Sequence, residues 1–317
     1  MPTDAAHADD EFRFLAADAA RVGREAALPQ VRRMRFEAAG GTAVSGLAFD
    51  PARKPQLVAL HGAGLNAHSF DPALLALGRP ALALDLPGHG RSDWRSDADY
   101  SPAAIAPSLT AVLRQAAGKP VTLVGHSLGG LAGALVAAAA PELVSAFVVV
   151  DITPSVVPGG GGERVMEFIT GKRDFGGVDE IIDRAIEFGI GSDRSALERG
   201  IALNTRRRED GRLEWTHHLA HLPHLAHVAP SASADPAPTG QLWAALAAIP
   251  APVTLIRASH GMVDDALERE WRERLPASFV ERLDGPHNLH EAEPLALAAA
   301  IDRAIARAAG PSGRMGI

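Results

Sequence analysis

Ser127 lies within the stretch LVGHSLGGLAGALV, Leu123 to Val136, with Gly125 and Gly129 two residues away on either side. A strand-like run, VTLV, precedes it and a helix-compatible run of small residues follows. In that setting the glycines let the chain turn sharply from strand to helix. The hydroxyl then projects from the carboxyl edge of a sheet, with a helix N-terminus beneath it. A serine that only caps a helix is common, but a cap does not require glycine on both sides. A hydroxyl is a poor nucleophile until a base takes its proton, and a histidine oriented by a carboxylate is the usual arrangement. The chemistry implied is acyl transfer.

In sites of this kind the chain order is serine, acid, histidine, so the base is sought downstream. Of thirteen histidines, His260, His287 and His290 fall in the C-terminal part. The segment LDGPHNLHEAEP places His287 in a Gly-Pro turn between a strand-like run and the final helix, where a loop can hang a side chain over a sheet edge. His290, nearer the helix start, reads as structural. Negative charge developing on a carbonyl oxygen needs two backbone N–H donors. Leu128, directly after the serine, supplies one. The glycine-rich HGAGLN loop supplies the other from Ala63, with Gly64 as second choice.

These groups need elements to position them. PQLVALHG (55–62), PALALDLPGHG (80–90), PVTLVGHS (120–127), VSAFVVVDITP (144–154), PVTLIRAS (252–259) and SFVERLDGPH (278–287) are short apolar runs ending in polar or glycine residues. Such runs suit a parallel sheet covered on both faces. Helical patterns fall at 103–117, 128–140, 264–274 and 291–309 between them, which gives an α/β class. VRRMRFEAAGGTAVSGLAF reads as a hairpin about Gly40-Gly41. The alternation breaks between Pro154 and about Ala251, where helical segments read as an insertion capping the ligand-binding end of the sheet. The expected division is an N-terminal extension at 1–30, a core of 31–153 and 251–317, and a cap at 154–250.

Bulk properties narrow the function. The 317 residues are 47% hydrophobic and 22% charged, carry a net charge of −7 and include no cysteine. No basic stripe points to nucleic acid, and thiolate metal sites and disulfides are excluded. Without a signal-like N-terminus or a long apolar run, the reading is a cytoplasmic protein with no membrane partner.

The motifs VALHGAGLNAHSFD, LDLPGHGRSDW, LVGHSLGG, VVVDITP and GPHNLHEAEP together resemble the α/β-hydrolase superfamily, in particular cap-bearing bacterial hydrolases of the esterase and carbon–carbon hydrolase type. The likeness spans about residues 31 to 309. It implies a mostly parallel eight-stranded sheet with helices on both faces and a helical cap insertion. It also implies Ser127 as nucleophile, His287 as base, and a structural role for His89 and Arg91. Relatives that open epoxides or displace halide have aspartate at the serine position, so those chemistries are disfavoured.

For the acid, most relatives carry an aspartate after the next-to-last strand, where this chain has IRASHGMVDDALERE with Gly261 at about that place. Asp264 and Asp265 come late and suit a helix start. Another branch takes its acid from the end of the strand after the nucleophile helix, where this chain has Asp151. Asp151 is favoured, with Asp264 as the alternative.

His126 is assigned to the substrate pocket, and Asn204 and Trp215 join it by resemblance to caps with an Asn followed by Trp. The histidines of HHLAHLPHLAH read as a lid segment in preference to a zinc site, because no carboxylate or thiolate joins them and Pro223 interrupts the run. The expected activity is cleavage of a carboxylic ester of a small to medium hydrophobic substrate, with no cofactor or metal. Carbon–carbon hydrolysis, lactone hydrolysis, perhydrolysis and ligand binding without turnover are the alternatives. A small-molecule substrate is the partner expected, and a homodimer is left open.

Overall fold

The protein is described from a computed structural model covering residues 11–38, 41–156, 161–190, 193–222 and 236–310. Gly40, Pro223, His224, His227 and residues 230–235 lie outside the described residues. The chain opens with helix α1 (Leu15–Arg21) and the antiparallel pair β1 (Val31–Glu37) and β2 (Ala43–Phe49). Strand β3 (Leu57–Leu60) leads to α2 (Asp71–Leu77), which stops at Gly78 with φ +60, a left-handed conformation that glycine adopts without strain. Strand β4 (Ala81–Leu84) follows. Helix α3 (Pro102–Ala116) starts where Ser101 accepts from the Ala104 amide and Pro102 needs no donor partner. Then come β5 (Val121–His126), α4 (Leu128–Ala139) and β6 (Val144–Val150).

The segment after β6 contains α5 (Gly161–Thr170), β7 (Asp174–Phe175), α6 (Val178–Glu187), α7 (Arg194–Asn204), β8 (Thr205–Arg207), β9 (Leu213–Trp215) and α8 (Pro236–Ala248). The chain then returns to the sheet with β10 (Val253–His260), α9 (Asp265–Arg274), β11 (Phe279–Pro286), α10 (Leu289–Ala292) and α11 (Pro294–Ala309).

Eight strands form one sheet in the order β1-β2-β4-β3-β5-β6-β10-β11, and β2 runs against both its neighbours while the other pairs are parallel. Central strands β3, β4 and β5 are buried along their whole length, as apolar strands covered on both faces must be. Residues of α3, α4, α8 and α9 pack on one face, and those of α1, α2 and α11 on the other. Among the described residues no helix is long and apolar enough to cross a membrane.

The segment expected as a helical cap, 154–250, holds strands as well as helices. It carries a second, three-stranded sheet in the order β7-β9-β8. Strands of two or three residues show no alternation to read. The turn that joins β8 to β9 carries the hairpin dipeptide Asp210-Gly211, with Gly211 at φ +81.

A buried charge network fastens this segment to the sheet. Arg199 of α7 pairs with Asp18 of α1 at 2.6 Å, donates to the His68 carbonyl at 3.1 Å and lies 3.5 Å from Asp71. Removing one partner of a buried pair leaves the other charge desolvated and uncompensated. Arg199→Met is therefore expected to cost ~3 kcal/mol or more. Arg206→Met, which breaks a partly exposed pair with Glu214, should cost no more than about 1 kcal/mol. Urea unfolding compares the two, and equal losses would contradict this reading of the network.

Candidate active site

Ser127 joins β5 to α4 with φ 51 and ψ −121, a conformation that costs a non-glycine residue roughly 1–3 kcal/mol. Its side chain makes no capping bond to α4, so the serine is not there as a helix cap. The flanking glycines act through close approach. A Cβ on Gly125 would lie 2.4 Å from the Gly129 carbonyl oxygen, and one on Gly129 would lie 2.4 Å from that of Leu60. Among the described residues the Ser127 hydroxyl has no hydrogen-bond partner.

Asp151, at the end of the adjacent strand β6, repeats the strain with φ 51. Its carboxylate is fully buried and accepts from the Ala258 amide at 3.1 Å, the Met262 amide at 2.7 Å and His287 Nδ1 at 2.7 Å. A carboxylate at Nδ1 puts the ring proton there and leaves Nε2 as the free acceptor. The alternative acid, Asp264, is otherwise engaged. It caps α9, accepting from the Ala266 and Leu267 amides at 2.9 Å each. Gly261 now has a physical reason, since a Cβ there would sit 1.9 Å from Asp151 Oδ2. The Asp151 carboxylate occupies the space that a side chain at 261 would need.

The loop after β3 faces the same strand ends. His61 Nε2 accepts from the Leu86 amide at 2.9 Å, and Asp85 accepts from Ala67 at 2.8 Å, Arg91 at 3.1 Å and Arg33 at 2.6 Å, which locks loops 61–67 and 85–94 together. Gly62 lies against the nucleophile turn, where an added Cβ would be 3.1 Å from that of Ser127. Gly64, with φ +75, is covered by Ile169 of α5. Among the described residues the amides of Leu128 and Ala63 have no acceptor. The first is expected of a helix N-terminus.

Three residues assigned to the pocket have polar groups engaged by other parts of the protein. His126 is buried, 1% exposed, and its Nε2 donates to the backbone carbonyl of His287 at 3.1 Å. Asn204 Oδ1 accepts from Asn66 at 2.8 Å while its amide donates to Gly200. Trp215 packs among Phe168, Phe175 and His217, and its indole N–H donates to Lys172. Sequence spacing gives the element of such residues but not their direction. The His287 carbonyl bond was missed because a lone histidine before a serine carries no signal of its partner.

The histidine run is structural where it is described. His218 stacks on Trp94 at 4.2 Å and bonds Tyr100 at 2.6 Å, and His221 bonds the Trp215 carbonyl at 3.0 Å. Among the described residues no group of three or more metal-ligating side chains is gathered.

Burial pushes His61 down to about 4 and His89 and His290 down to about 3, while His126 and His217 also fall well below the ordinary value. His68 goes the other way. Burial alone would lower it, but the Asp71 and Glu11 carboxylates outweigh burial and raise it to about 9.

A fold of this topology, with a strained serine turn and a histidine–carboxylate pair at the strand ends, defines a hydrolase. The chain belongs to the alpha/beta hydrolase family, whose model matches residues 57–300. It is similar to Esterase Rv0045c of Mycobacterium tuberculosis, with 34% identity over 298 residues, 91% of this chain and 93% of that protein. A solved structure of that esterase, from work on its transition metal inhibition, superposes with a TM-score of 0.78 at 33% identity, covering 94% of this chain and 99% of the other. The structure of E-2-(acetamidomethylene)succinate hydrolase shares the fold at 21% identity, with a TM-score of 0.72 over 87% of this chain and all of the other.

Two outcomes follow from this geometry. Gly261→Ala drives a methyl into the Asp151 carboxylate, and the expected result is a loss of turnover of at least about tenfold, in line with the sensitivity of catalysis to small misplacements. Unchanged ester turnover by Gly261→Ala would count against that reading. The second outcome concerns stability against pH. Imidazoles held near 3 to 4 in the fold but near 6.5 when unfolded contribute stability above pH 6.5 that is lost as pH falls toward 3. The slope is about 1.4 kcal/mol per pH unit for each group. The His68 contribution is complete below 6.5 and is lost as pH rises through 9. Thermal melting from pH 4.5 to 9 should therefore peak near 6.5, and a flat acid limb would contradict the burial of neutral histidines.

Proposed function

We propose that the chain is a serine esterase that cleaves carboxylic esters of small to medium apolar acids through an acyl-enzyme. The observation that carries this reading is the 2.7 Å contact between His287 Nδ1 and Asp151 Oδ2, on strand ends beside the strained Ser127 turn. With Nδ1–H committed to the carboxylate, Nε2 is the ring atom free to take a proton.

In this reading Ser127 Oγ adds to the ester carbonyl as His287 Nε2 takes its proton. The carbonyl oxygen becomes an oxyanion facing the Leu128 and Ala63 amides. Collapse breaks the ester C–O bond, and the alcohol leaves with the proton from His287. Water then gives a proton to His287 and adds to the acyl carbon. When the acid departs, Ser127 regains its proton. Asp151 keeps the ring oriented and stabilises the imidazolium formed in each half-reaction.

Apolar surroundings support an apolar acyl group. Ile169 lies over Gly64, and Ile152 packs against Gly130 at the start of α4. Carbon–carbon hydrolases, lactonases and perhydrolases would use the same three residues. Likeness to an esterase over nearly the whole chain favours an ester.

Turnover of p-nitrophenyl butyrate by Ser127→Ala is expected to fall by at least about 10³-fold, with loss of fluorophosphonate labelling. Wild-type turnover in that variant would rule the reading out.

A further inference from the structure

His126 is the last residue of β5 and the immediate chain neighbour of Ser127. Its buried ring is 4.3 Å, centroid to centroid, from that of His287 and 4.5 Å from that of His290, which in turn stacks on Phe70 at 4.8 Å. The other edge of the ring meets Gly62, where a Cβ would lie 2.8 Å from His126 Nδ1. The imidazole is thus confined between the loop after β3 and the loop after β11. Its one hydrogen bond runs from Nε2 to the main-chain oxygen of His287, while Nδ1 is buried without a partner.

We propose that His126 is a positioning residue for His287, tying the backbone of the base to the turn that carries the nucleophile. The inference rests on the esterase reading above. His287 is gripped at two points that no single element could supply. Asp151 holds the ring at Nδ1, and His126 holds the main chain at the carbonyl. The Asp151 bond alone leaves the backbone between Pro286 and α10 free to shift, carrying Nε2 relative to Ser127. The His126 bond removes that freedom through a donor covalently attached to Ser127. Burial holds His126 neutral, well below the ordinary histidine range, so that its N–H is a directional donor without a charge to solvate. The uncompensated Nδ1 is a cost that a purely packing residue at this site, such as leucine, would not incur.

Glutamine and asparagine separate this role from bulk structure. Glutamine carries its amide nitrogen at the reach of histidine Nε2, whereas asparagine stops at the reach of Nδ1. Loss of one positioning bond should lower kcat of His126→Asn on p-nitrophenyl butyrate by about tenfold with KM within about twofold, and His126→Gln should recover to within about threefold of wild type. In a His287→Ala background, His126→Asn should cause no further loss in the residual rate, because the residue it positions is gone. If His126→Asn does not fold, as judged by thermal melting, His126→Met provides the same reach without a donor. Equal slowing by the Gln and Asn variants, or an undiminished effect of His126→Asn in the His287→Ala background, would overturn the proposal. Wild-type turnover in His287→Ala alone would instead overturn the esterase reading on which it rests.

Discussion

The carboxylate of Asp151 is the constraint around which the strand ends are arranged. A buried charge is expensive unless donors surround it, and here they come from three separate places. Ala258 lies within β10, Met262 in the turn after it, and His287 in the loop after β11. Those donors converge because β6 pairs with β10 and β10 with β11, so the sheet order itself brings Asp151 to His287. Two local costs follow. Asp151 adopts a left-handed φ, and position 261 must carry no side chain. Both are understandable as the geometry required to satisfy one desolvated anion.

A second constraint links the insertion to the loop after β3. Asn66 caps the short turn Ala67–Phe70 by accepting from the His68 amide, and its own amide donates to Leu203 and Asn204 at the end of α7. Arg199, one turn earlier on α7, enters the network with Asp18 and Asp71. Helix α7 is therefore bound through polar contacts to the same loop that carries Ala63. Helix α5 meets that loop differently, through the apolar contact of Ile169 with Gly64. The insertion is thus polar where α7 is fixed to that loop and apolar where α5 covers Gly64.

Much of this arrangement was legible in the sequence, for identifiable reasons. Gly125 and Gly129 have to lack a Cβ because carbonyl oxygens lie within 2.4 Å of where it would be, so their spacing about Ser127 reports a real packing demand. Asp151 could be named because it follows an apolar strand and His287 because it sits in a Gly-Pro turn before the final helix, and chain order restricts where the partners of such a serine fall. Asn204 and Trp215 could not be read in the same way. Both lie on elements whose position the sequence suggests, but direction is set by tertiary partners, and theirs are Asn66 and an aromatic cluster. The three-stranded sheet escaped notice because its strands are shorter than one full alternation. The role of the N-terminal extension was also out of reach, since an aspartate at 18 gives no hint of an arginine at 199.

The distribution of buried histidines follows from the same electrostatics. His61, His89, His126, His217 and His290 are all nearly inaccessible and all shifted down, whereas the equally buried His68 is shifted up. Proximity to carboxylates separates the two groups: His68 lies 2.7 Å from Asp71 and 3.4 Å from Glu11. Among the described residues around the serine turn, the only fully buried carboxylate at hydrogen-bond distance from a histidine is Asp151, and it bonds His287. The remaining imidazoles there stay neutral, and several keep an unmatched nitrogen: Nδ1 of His126, Nε2 of His89 and both nitrogens of His290. In the mechanism proposed above, a charged imidazole beside His287 would oppose the imidazolium formed in each half-reaction, as like charges do at short range. Neutral imidazoles fill the space and donate where needed without that opposition. The unmatched nitrogens are then the residual cost of surrounding the Asp151–His287 contact with neutral rings.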